Sequence, residues 1–554
     1  MRPPRLPIAG VAALVFITRI ATLPLTYWQG EELRFAHALL TFDPLQQQPE
    51  PPGYPLYVAI GRLINFFVHE PFFALLALSV IAATAGAYLT ALAVAEIFGN
   101  DWTGAAAALV LYFSPAMLVF DALPNPEALS MAFLAAAVLA LIRDRTIWFG
   151  IAAAAAVAVL PQIAFAILVM VLASVWVRAS HRTARAEARA YTAAGIVLMV
   201  AFVPLIEAIG VSNLIPYAKA NYLALRTSSA AAGLHGRELL LRFIAHPWGA
   251  KWISFPLLLA AAIGFVVLVR RSHRVAVTLA AFAIAHILFC IAFADRADGV
   301  QPVIPSLIVI AILAVAATPR FAILGAVLYA IGGFAYAWPI LHPRHTMRSA
   351  PARAMRYARR WLPNGAVLLY EPSMEAWATQ PRFEIAPVRD FDRYAEQPET
   401  PLVLVTDGGS RMPHAARFEW PDSDAYGKVT TERYRVTSVI PFPPASRYRS
   451  LGGVYPFERT GDGREWRWLS GDALIELPRL GKRVVQLKFA LPDDAPVVSN
   501  TVLVNGNAVT IDRGREVTVA FPASSQLQIR SQRTFSSSRD RRALAAQLVS
   551  LEQR

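Results

Sequence analysis

Eleven long apolar runs, separated by short polar loops, occupy the first 340 residues of the 554-residue chain. A helix of about 20 apolar residues crosses the ~30 Å hydrocarbon core of a bilayer, so these runs predict membrane-spanning helices. The predicted spans are residues 7–27, 72–98, 103–120, 126–142, 147–160, 162–178, 191–210, 252–270, 275–293, 302–317 and 320–340. The pattern requires a polytopic α-helical membrane protein over residues 1–340.

Composition supports this interpretation and excludes other classes. Apolar residues make up 56% of the chain and charged residues 16%, against roughly 25% charged in soluble proteins. The figures exclude a disordered or fibrous chain and disfavour an ordinary soluble enzyme. A net charge of +14 would suggest a nucleic-acid partner in a soluble protein, but here Lys and Arg mark cytoplasmic loops, and no nucleic acid is expected. The single cysteine, Cys290, excludes an internal disulfide and a Cys-based zinc site.

The arginines predict the topology through the positive-inside rule. Spans 147–160 and 162–178 could be one helix kinked at Pro161, but arginines flank the pair on both sides, so we interpret it as a hairpin. The N-terminus is then cytoplasmic, in a multi-pass inner-membrane protein. The N-terminal run could mimic a signal peptide, but it is long and lacks a clear cleavage site, so we expect a retained anchor. Extracytoplasmic segments are loops 28–71, 121–126, 211–251 and 294–301, and the region after 340.

The segment 54–68 is apolar enough to suggest a twelfth span. It carries Arg62 and Asn65, and its insertion would invert every later loop. We therefore expect an interfacial helix on the outer surface.

The extracytoplasmic region after residue 340 has mixed patterns. Residues 341–430 predict a small α/β unit, and 431–533 predict a β-sandwich, with a hairpin at Asn505-Gly506. Residues 534–554 read as a polar tail that ends in a helix. Three aromatic residues of the sandwich form either its core or a surface on which sugar rings stack; they are Tyr455, Trp466 and Trp468.

Two carboxylates, Glu31 and Glu32, directly follow the first predicted span. In a helix, Glu31 shares a face with Phe35 and Leu39, so Glu31 could point into the protein. A carboxylate in a desolvated cavity has a raised pKa and suits a general base. The alternative is that both are interfacial acids at a helix N-terminus, where negative charge is favoured.

Further along this loop, Pro51-Pro52-Gly53-Tyr54-Pro55-Leu56-Tyr57 combines an extended entry, a tight turn and two tyrosines at the membrane surface. The alternative is a simple turn with an aromatic belt.

The early acid, the amphipathic stretch and the 51–57 run together resemble the GT-C superfamily, membrane glycosyltransferases that use polyprenyl-phosphate sugars. The likeness is strongest to the bacterial protein O-mannosyltransferase-like and aminoarabinose-transferase-like branch. It covers residues of about 10–340 and is most specific over 28–63. The resemblance places the catalytic acid on Glu31, where Asp is more usual, with Glu32 as the second catalytic candidate of an Asp-Glu-like pair. Glu50 stands where many relatives have His.

The resemblance also implies further site residues. A second acid falls on Asp121 or Glu127, with Asp43 a weaker acidic candidate, and Arg19 matches an arginine of the first helix. An arginine within a span is costly, so a partner or a function is expected. The donor phosphate needs cations and polar side chains; the candidates are Arg19, Arg62, Tyr54, Tyr57, Arg237, Arg242 and Lys251, and more loosely Lys219, Arg226 and His235.

The implied function is sugar transfer with inversion from a polyprenyl-phosphate donor to an extracytoplasmic lipid, glycan or protein. A first-loop carboxylate would act as general base, and a divalent cation, Mg²⁺ or Mn²⁺, could assist. The expected partners are this donor, membrane lipids and the acceptor. Two alternatives stay open. A transporter or flippase of lipid-linked sugars would predict charged residues on facing membrane helices and an inverted repeat. A non-catalytic scaffold of envelope assembly would be favoured if the departures from the family pattern at Glu31 and Glu50 have abolished activity.

Overall fold

The computed structural model describes residues 5–178, 184–219, 241, 243–293, 300–317, 322–377, 383–395, 397, 399–407, 414–421, 434–459, 465–478, 480–536 and 542–554. The chain divides into two compact units. The helical unit comprises Met1–Arg348 with Pro421–Arg433, and the β-rich unit comprises Ser349–Trp420 with Tyr434–Arg554.

Each predicted span overlaps a helix in the described part of the helical unit, although the first, 7–27, is helical only to Ala21. The helices are α1 (Leu6–Ala21), α2 (Gly30–Leu40), α3 (Pro55–Val68), α4 (Pro71–Phe98), α5 (Asp101–Tyr112), α6 (Pro115–Phe120), α7 (Glu127–Ile142), α8 (Thr146–Val159), α9 (Ala164–Arg178), α10 (Ala184–Ile209), α11 (Lys251–Arg271), α12 (His273–Phe293), α13 (Ile304–Ala316) and α14 (Ala322–Thr346). Among the described residues, five helices are long and apolar enough to cross a membrane by themselves: Pro71–Phe98, Ala188–Ile209, Lys251–Arg271, His273–Ala292 and Ala322–Trp361. Eleven crossings therefore remain a prediction.

Proline sets the two breaks within the apolar runs. The predicted span 103–120 divides into α5 and α6, where Ser114 caps the second helix by accepting from the Met117 N–H and Pro115 follows in its first turn. The chain also breaks at Pro161, as predicted, because proline cannot continue the backbone ladder of α8. Helix α8 packs on α7 and α10, whereas α9 packs on α12.

The arginine-rich loops come together at one end of the bundle. Arg143, just after α7, donates from Nε to Oε2 of Glu96 near the end of α4, at 2.9 Å. Arg274, in the first turn of α12, donates to Asp144 at 2.8 Å. The acidic loops lie at the opposite ends of α1 and α7, as described below. The predicted loop arginines Arg182 and Arg320 lie outside the described residues, so the full alternation of loops stays a prediction. The cytoplasmic assignment of the arginine end stays a prediction.

Glycine allows two close helix contacts in this unit. A Cβ placed on Gly264 of α11 would lie 1.7 Å from the backbone oxygen of Leu313 in α13. A Cβ on Gly104 of α5 would lie 2.1 Å from the oxygen of Ala91 in α4. Small residues at such positions let backbones pack directly, which is a main source of helix association where water is absent.

The β-rich unit begins with α15 (Ala350–Trp361) and a mixed five-stranded sheet that also carries the short helix α16 (Phe391–Ala395). Its strands are β1 (Val367–Tyr370), β2 (Glu384–Pro387), β3 (Leu402–Asp407), β4 (Ala416–Pro421) and β5 (Tyr434–Phe442), in the order β2-β1-β3-β5-β4. Strand β1 pairs in parallel with β2 and β3. The predicted boundary at 430 is too early, because β5 pairs with β3 and so belongs to this sheet.

The second sheet has eight strands in the order β10-β9-β12-β7-β13-β8-β11, with β6 paired to β7. They are β6 (Arg449–Arg459), β7 (Glu465–Glu476), β8 (Val484–Ala490), β9 (Ser499–Val504), β10 (Asn507–Asp512), β11 (Glu516–Pro522), β12 (Gln526–Ser531) and β13 (Ala546–Gln553). The predicted hairpin at Asn505-Gly506 is confirmed, with both residues at positive φ between β9 and β10. Most strands contribute side chains to one shared core. The strands form one hydrogen-bonded path, and residues from both ends of that path share the core.

The predicted C-terminal helix is wrong. Residues Ala546–Gln553 form β13, which lies between β7 and β8 near the middle of the second sheet. Its Ala, Leu, Gln and Glu residues favour a helix. However, Leu548 and Leu551 are buried in the core of the sheet, so tertiary pairing overrides the local preference.

The three aromatic residues considered for sugar stacking belong to a core. Trp466 and Trp468 are buried together with Leu544, and Tyr455 packs against them. Their packing accounts for these residues without a ligand.

Candidate active site

A buried ion pair joins α1 to the turn before α7. Nε of Arg19 donates to Oδ1 of Asp121 at 2.7 Å, and a terminal nitrogen donates to Oδ2 at 2.8 Å. The same nitrogen donates to the backbone oxygen of Tyr112. Both charged side chains are fully buried. This bidentate pair supplies the partner that the predicted intramembrane arginine requires, and it fixes the end of α1 beside the acidic loop.

The first acidic loop forms α2, and the structure corrects which acid points inward. Glu32 is fully buried, whereas Glu31 is half-buried. Successive helical residues are rotated by about 100°. Glu32 therefore lies nearer than Glu31 to the centre of the buried stripe, which also contains Phe35, Ala36 and Leu39. Sequence periodicity placed Glu31 with Phe35 and Leu39 correctly, but it left the centre of the stripe undetermined.

Glu32 sits in an environment that favours its neutral form. Oε2 accepts the backbone N–H of Trp28 at 2.7 Å. Within the described residues, Oε1 is buried and has no hydrogen-bond partner. Burial raises the pKa of Glu32 to about 8. The Trp28 N–H, the charge of Arg344 and the Gln29 N–H oppose this rise, and the charge of Glu127 adds to it. A carboxyl group with a pKa near neutrality is suited to proton transfer.

A second buried acid, Glu127, begins α7 beside this group. Its Oε1 accepts from the side-chain amide of Gln301, which precedes α13, at 2.8 Å. Its Oε2 has no hydrogen-bond partner in the part of the chain that the structure describes, and the same holds for both amide atoms of the buried Asn125. Buried polar atoms are normally paired. Such a group of unpartnered atoms is what a polar ligand or ordered water would satisfy.

Arg344, which the sequence analysis did not single out, lies close enough to Glu32 for its charge to oppose the rise in the pKa of that carboxyl group. It is in the last turn of α14 and is 1% exposed. Its guanidinium carbon lies 5.1 Å from the ring centre of Trp28, and it donates to the backbone oxygen of Val119. The only sequence signal is an arginine at the end of an apolar helix, which also describes many loop-edge charges.

The 51–57 run forms a turn followed by a helix, as predicted. The Gly53 N–H donates to the oxygen of Glu50 at 2.9 Å, and Gly53 has φ +100°, which favours glycine. Helix α3 begins directly after Tyr54. The carboxylate of Glu50 is paired with Arg34 of α2. Burial raises the pKa of Glu50, and Arg34 opposes this rise.

The two tyrosines of this run hold α3 against α2. The ring of Phe35 packs edge-on against Tyr54 at 5.0 Å and against Tyr57 at 5.1 Å. The Tyr54 hydroxyl accepts from Gln162 at 2.9 Å. Tyr57 is fully buried, and its pKa is raised by burial, then by the charges of Glu127 and Glu32. Tyr57 therefore lies near both acids.

The remaining candidates do not join this group. Arg62 donates to the oxygens of Leu39 and Ala38, at 3.1 and 2.9 Å, so it caps the C-terminus of α2. Asp43 caps a short turn by accepting from the N–H groups of Leu45 and Gln46. Lys251 begins α11 with an exposed side chain, and Lys219 lies near the end of the described segment 184–219. Arg226, His235, Arg237 and Arg242 lie outside the described residues.

The acidic residues do not form a recognisable metal site. In the described segments, no three His, Cys, Asp or Glu side chains are grouped so as to hold a metal ion. The expectation of Mg²⁺ or Mn²⁺ stays a prediction, and the chemistry proposed below assigns its steps to side chains only.

The candidate site therefore consists of Glu32, Glu127, Arg344 and Tyr57, on α2, α7, α14 and α3, with the buried Asn125 two residues before Glu127 in the turn that leads into α7. Its polar atoms are buried and include both acceptors and donors. Such a group can take a proton from a hydroxyl or amine and can bind an anion nearby.

Searches of protein-family models and of curated proteins found no match to this sequence. Among solved structures, the chain is similar to ArnT from Cupriavidus metallidurans bound to undecaprenyl phosphate, at 14% identity and a TM-score of 0.47, over 77% of this chain and 97% of that one. It is also similar to the arabinofuranosyltransferase AftD from Mycobacteria, at 12% identity and a TM-score of 0.40, over 99% of this chain and 61% of that one. A third similar structure is the arabinosyltransferase EmbB from Mycobacterium smegmatis, at 12% identity and a TM-score of 0.30, over 98% and 64%.

Proposed function

We propose that the chain is an integral membrane glycosyltransferase. It moves a sugar, with inversion at C1, from a polyprenyl-phosphate donor to an extracytoplasmic lipid, glycan or protein. The acid that carries the reaction is Glu32. The sequence resemblance over residues 28–63 supports this donor class, and the burial of Glu32 in α2 supports its choice as the base.

The observation that carries this proposal is the state of the Glu32 carboxyl group. It is fully buried, Oε1 has no hydrogen-bond partner among the described residues, and its pKa is raised to about 8. A structural acid at a helix N-terminus would be exposed or fully hydrogen-bonded, with an ordinary pKa. A general base instead needs a free oxygen and a pKa close to the working pH.

The reaction forms one bond and breaks one. The acceptor oxygen or nitrogen attacks C1 of the sugar, and the bond between C1 and the phosphate oxygen breaks. The polyprenyl phosphate leaves with that electron pair. The acceptor proton passes to Oε1 of Glu32. A single carboxylate suffices for such an inverting transfer, because the phosphate leaves without protonation by a second acid.

The neighbouring side chains have separate parts in this proposal. Arg344 faces the developing negative charge on the leaving phosphate, and its position near Glu32 also keeps some of the carboxyl group ionised. Glu127 and Asn125 offer the acceptors and donors that sugar hydroxyls require. The Arg19–Asp121 pair holds the loop that carries them.

The orientation is also a proposal. The arginines near Glu96 and Asp144 mark the cytoplasmic end by the positive-inside rule, which places the buried acids at the extracytoplasmic end. A reporter fused after Arg554 should be active outside the cytoplasm. Activity only inside the cytoplasm would contradict this orientation.

The testing experiment uses purified full-length protein in lipid nanodiscs with a panel of polyprenyl-phosphate sugars and membrane-extract acceptors. We expect release of polyprenyl phosphate from one donor and a product of inverted anomeric configuration by NMR. The same donors in vesicles test for movement between leaflets. Movement of an intact donor without bond cleavage would overturn the proposal and establish a flippase, whereas neither activity from a folded protein would favour a scaffold.

A further inference from the structure

Helix α15 has one buried and one exposed face, and it begins four residues after α14 ends at Thr346. Its buried face contains Ala354, Met355 and Ala358. The opposite face is exposed and carries three arginines within little more than one turn, followed by Trp361, which is 63% exposed; the arginines are Arg356, Arg359 and Arg360. A helix of this kind is typical of a membrane surface.

The segment around α15 has one sign of charge. Residues 344–370 contain six arginines and no Asp or Glu. Arg344 lies in the site described above, and Arg353 stacks 4.9 Å from the ring centre of Phe418 and donates to the Glu419 oxygen. The guanidinium carbon of Arg360 lies 5.1 Å from the ring centre of Trp361. The exposed arginines of α15 therefore form a concentrated positive surface, only a few residues along the chain from the end of α14.

Topology does not account for these arginines. Arg344 contacts Val119, and the backbone N–H of Leu25 donates to the Arg344 oxygen at 3.1 Å, so α14 ends at the acidic end of the bundle. Arg143 and Arg274, which pair with Glu96 and Asp144, lie at the opposite end. Positive residues at both ends weaken the bias that orients a membrane protein. A second arginine cluster is therefore expected to have a binding role.

We propose that the exposed face of α15, formed by Arg356, Arg359, Arg360 and Trp361, docks on the headgroups of anionic phospholipids. The arginines bind lipid phosphates, and Trp361 enters the interface between headgroups and acyl chains. The positive charge of this face is complementary to anionic headgroups, and the short connection to the membrane helix α14 favours a lipid surface as the binding partner. This docking is independent of the transfer reaction, and it holds for either assignment of the cytoplasmic end.

The test measures the depth of residue 361 in the full-length protein. A nitroxide is attached to Trp361→Cys in a Cys290→Ala background, and the protein is placed in nanodiscs of phosphatidylcholine alone or mixed equally with phosphatidylglycerol. With anionic lipid, the label should become less accessible to a water-soluble nickel complex and more accessible to oxygen. Salt at about 1 M, where the screening length is about 3 Å, should reverse the change.

Matched variants make the result specific. Substitution of Arg356, Arg359 and Arg360 by Gln should abolish the difference between the two lipids. The same loss of charge at three exposed sites of the second sheet should leave the difference between the two lipids unchanged. These control changes are Lys482→Gln, Arg483→Gln and Arg515→Gln. Size-exclusion profiles of all variants report folding. Equal accessibility of the label in both lipids, or an undiminished lipid effect in the α15 variant, would overturn the proposal.

Discussion

Replacement of Glu32 by Gln should remove a specific pH dependence from the stability of the helical unit. The folded state holds the Glu32 proton up to a pH of about 8, whereas the unfolded chain releases it near 4.5. Between these values the folded protein binds more protons than the unfolded one. The free energy of unfolding therefore falls as the pH rises, and this contribution is constant below pH 4.5 and above pH 8.

The magnitude follows from the same two values. Each pH unit across this window lowers the free energy of unfolding by about 1.4 kcal/mol, which gives a total of about 5 kcal/mol. For a unit of this size, the loss corresponds to a decrease in Tm on the order of 5–10 °C. Gln does not ionise, so Glu32→Gln should lack this slope. The amide N–H of Gln would also replace an unpartnered oxygen, which shifts Tm equally at every pH.

The assay is thermal unfolding in nanodiscs at several pH values from 5 to 8.5, for wild type, Glu32→Gln and Glu31→Gln. Both variants replace a carboxyl group with an amide at neighbouring positions, so the burial of the replaced group distinguishes them. The wild type and Glu31→Gln should lose stability in parallel as the pH rises, and Glu32→Gln should follow a flatter line. Equal slopes for all three proteins, or a flat line for Glu31→Gln alone, would refute the reasoning.

Three further predictions concern the frame around the site. Arg19→Leu and Asp121→Leu should each lower the free energy of unfolding, measured by denaturation, by about 3–5 kcal/mol, because each leaves a buried charge unpaired. The double variant should recover part of this loss, whereas additive losses would contradict the ion pair. Gly264→Ala should lower the free energy of unfolding by about 1–3 kcal/mol. Gly332→Ala, where a Cβ meets nothing within 4 Å, should leave it almost unchanged. Equal Tm values for the two variants would argue against the close α11–α13 contact. A chain that lacks β13 should lose the unfolding transition of the β-rich unit, and an unchanged transition would contradict a central β13.

Local properties explain what the sequence predicted correctly. The helices follow from the length of apolar runs, which each segment carries by itself. The break at Pro161 and the hairpin at Asn505-Gly506 follow from backbone restrictions of single residues. The turn at Gly53 is of the same kind. These features need no knowledge of distant contacts.

The features that were missed depend on distant parts of the chain. Glu31 and Glu32 differ only by their rotation about α2, and the packing of α2 on α3 and α4 decides which of them is buried. Arg344 reaches Trp28 from more than 300 residues away in the sequence. The last strand, β13, has the composition of a helix. It forms a strand because it pairs with β7 on one side and with β8 on the other.

The central claim is that a buried first-loop carboxylate is the base of a glycosyl transfer, and one measurement tests it most directly. Polyprenyl-phosphate release is followed from pH 6 to 9 for wild type, Glu32→Gln and Glu31→Gln, with the donor that wild type accepts. The wild-type kcat/KM should rise with pH and level off near 8, because the base must be ionised. Glu32→Gln should lose at least about 100-fold and its pH dependence, while Glu31→Gln keeps both. Full activity of a folded Glu32→Gln variant would contradict the account.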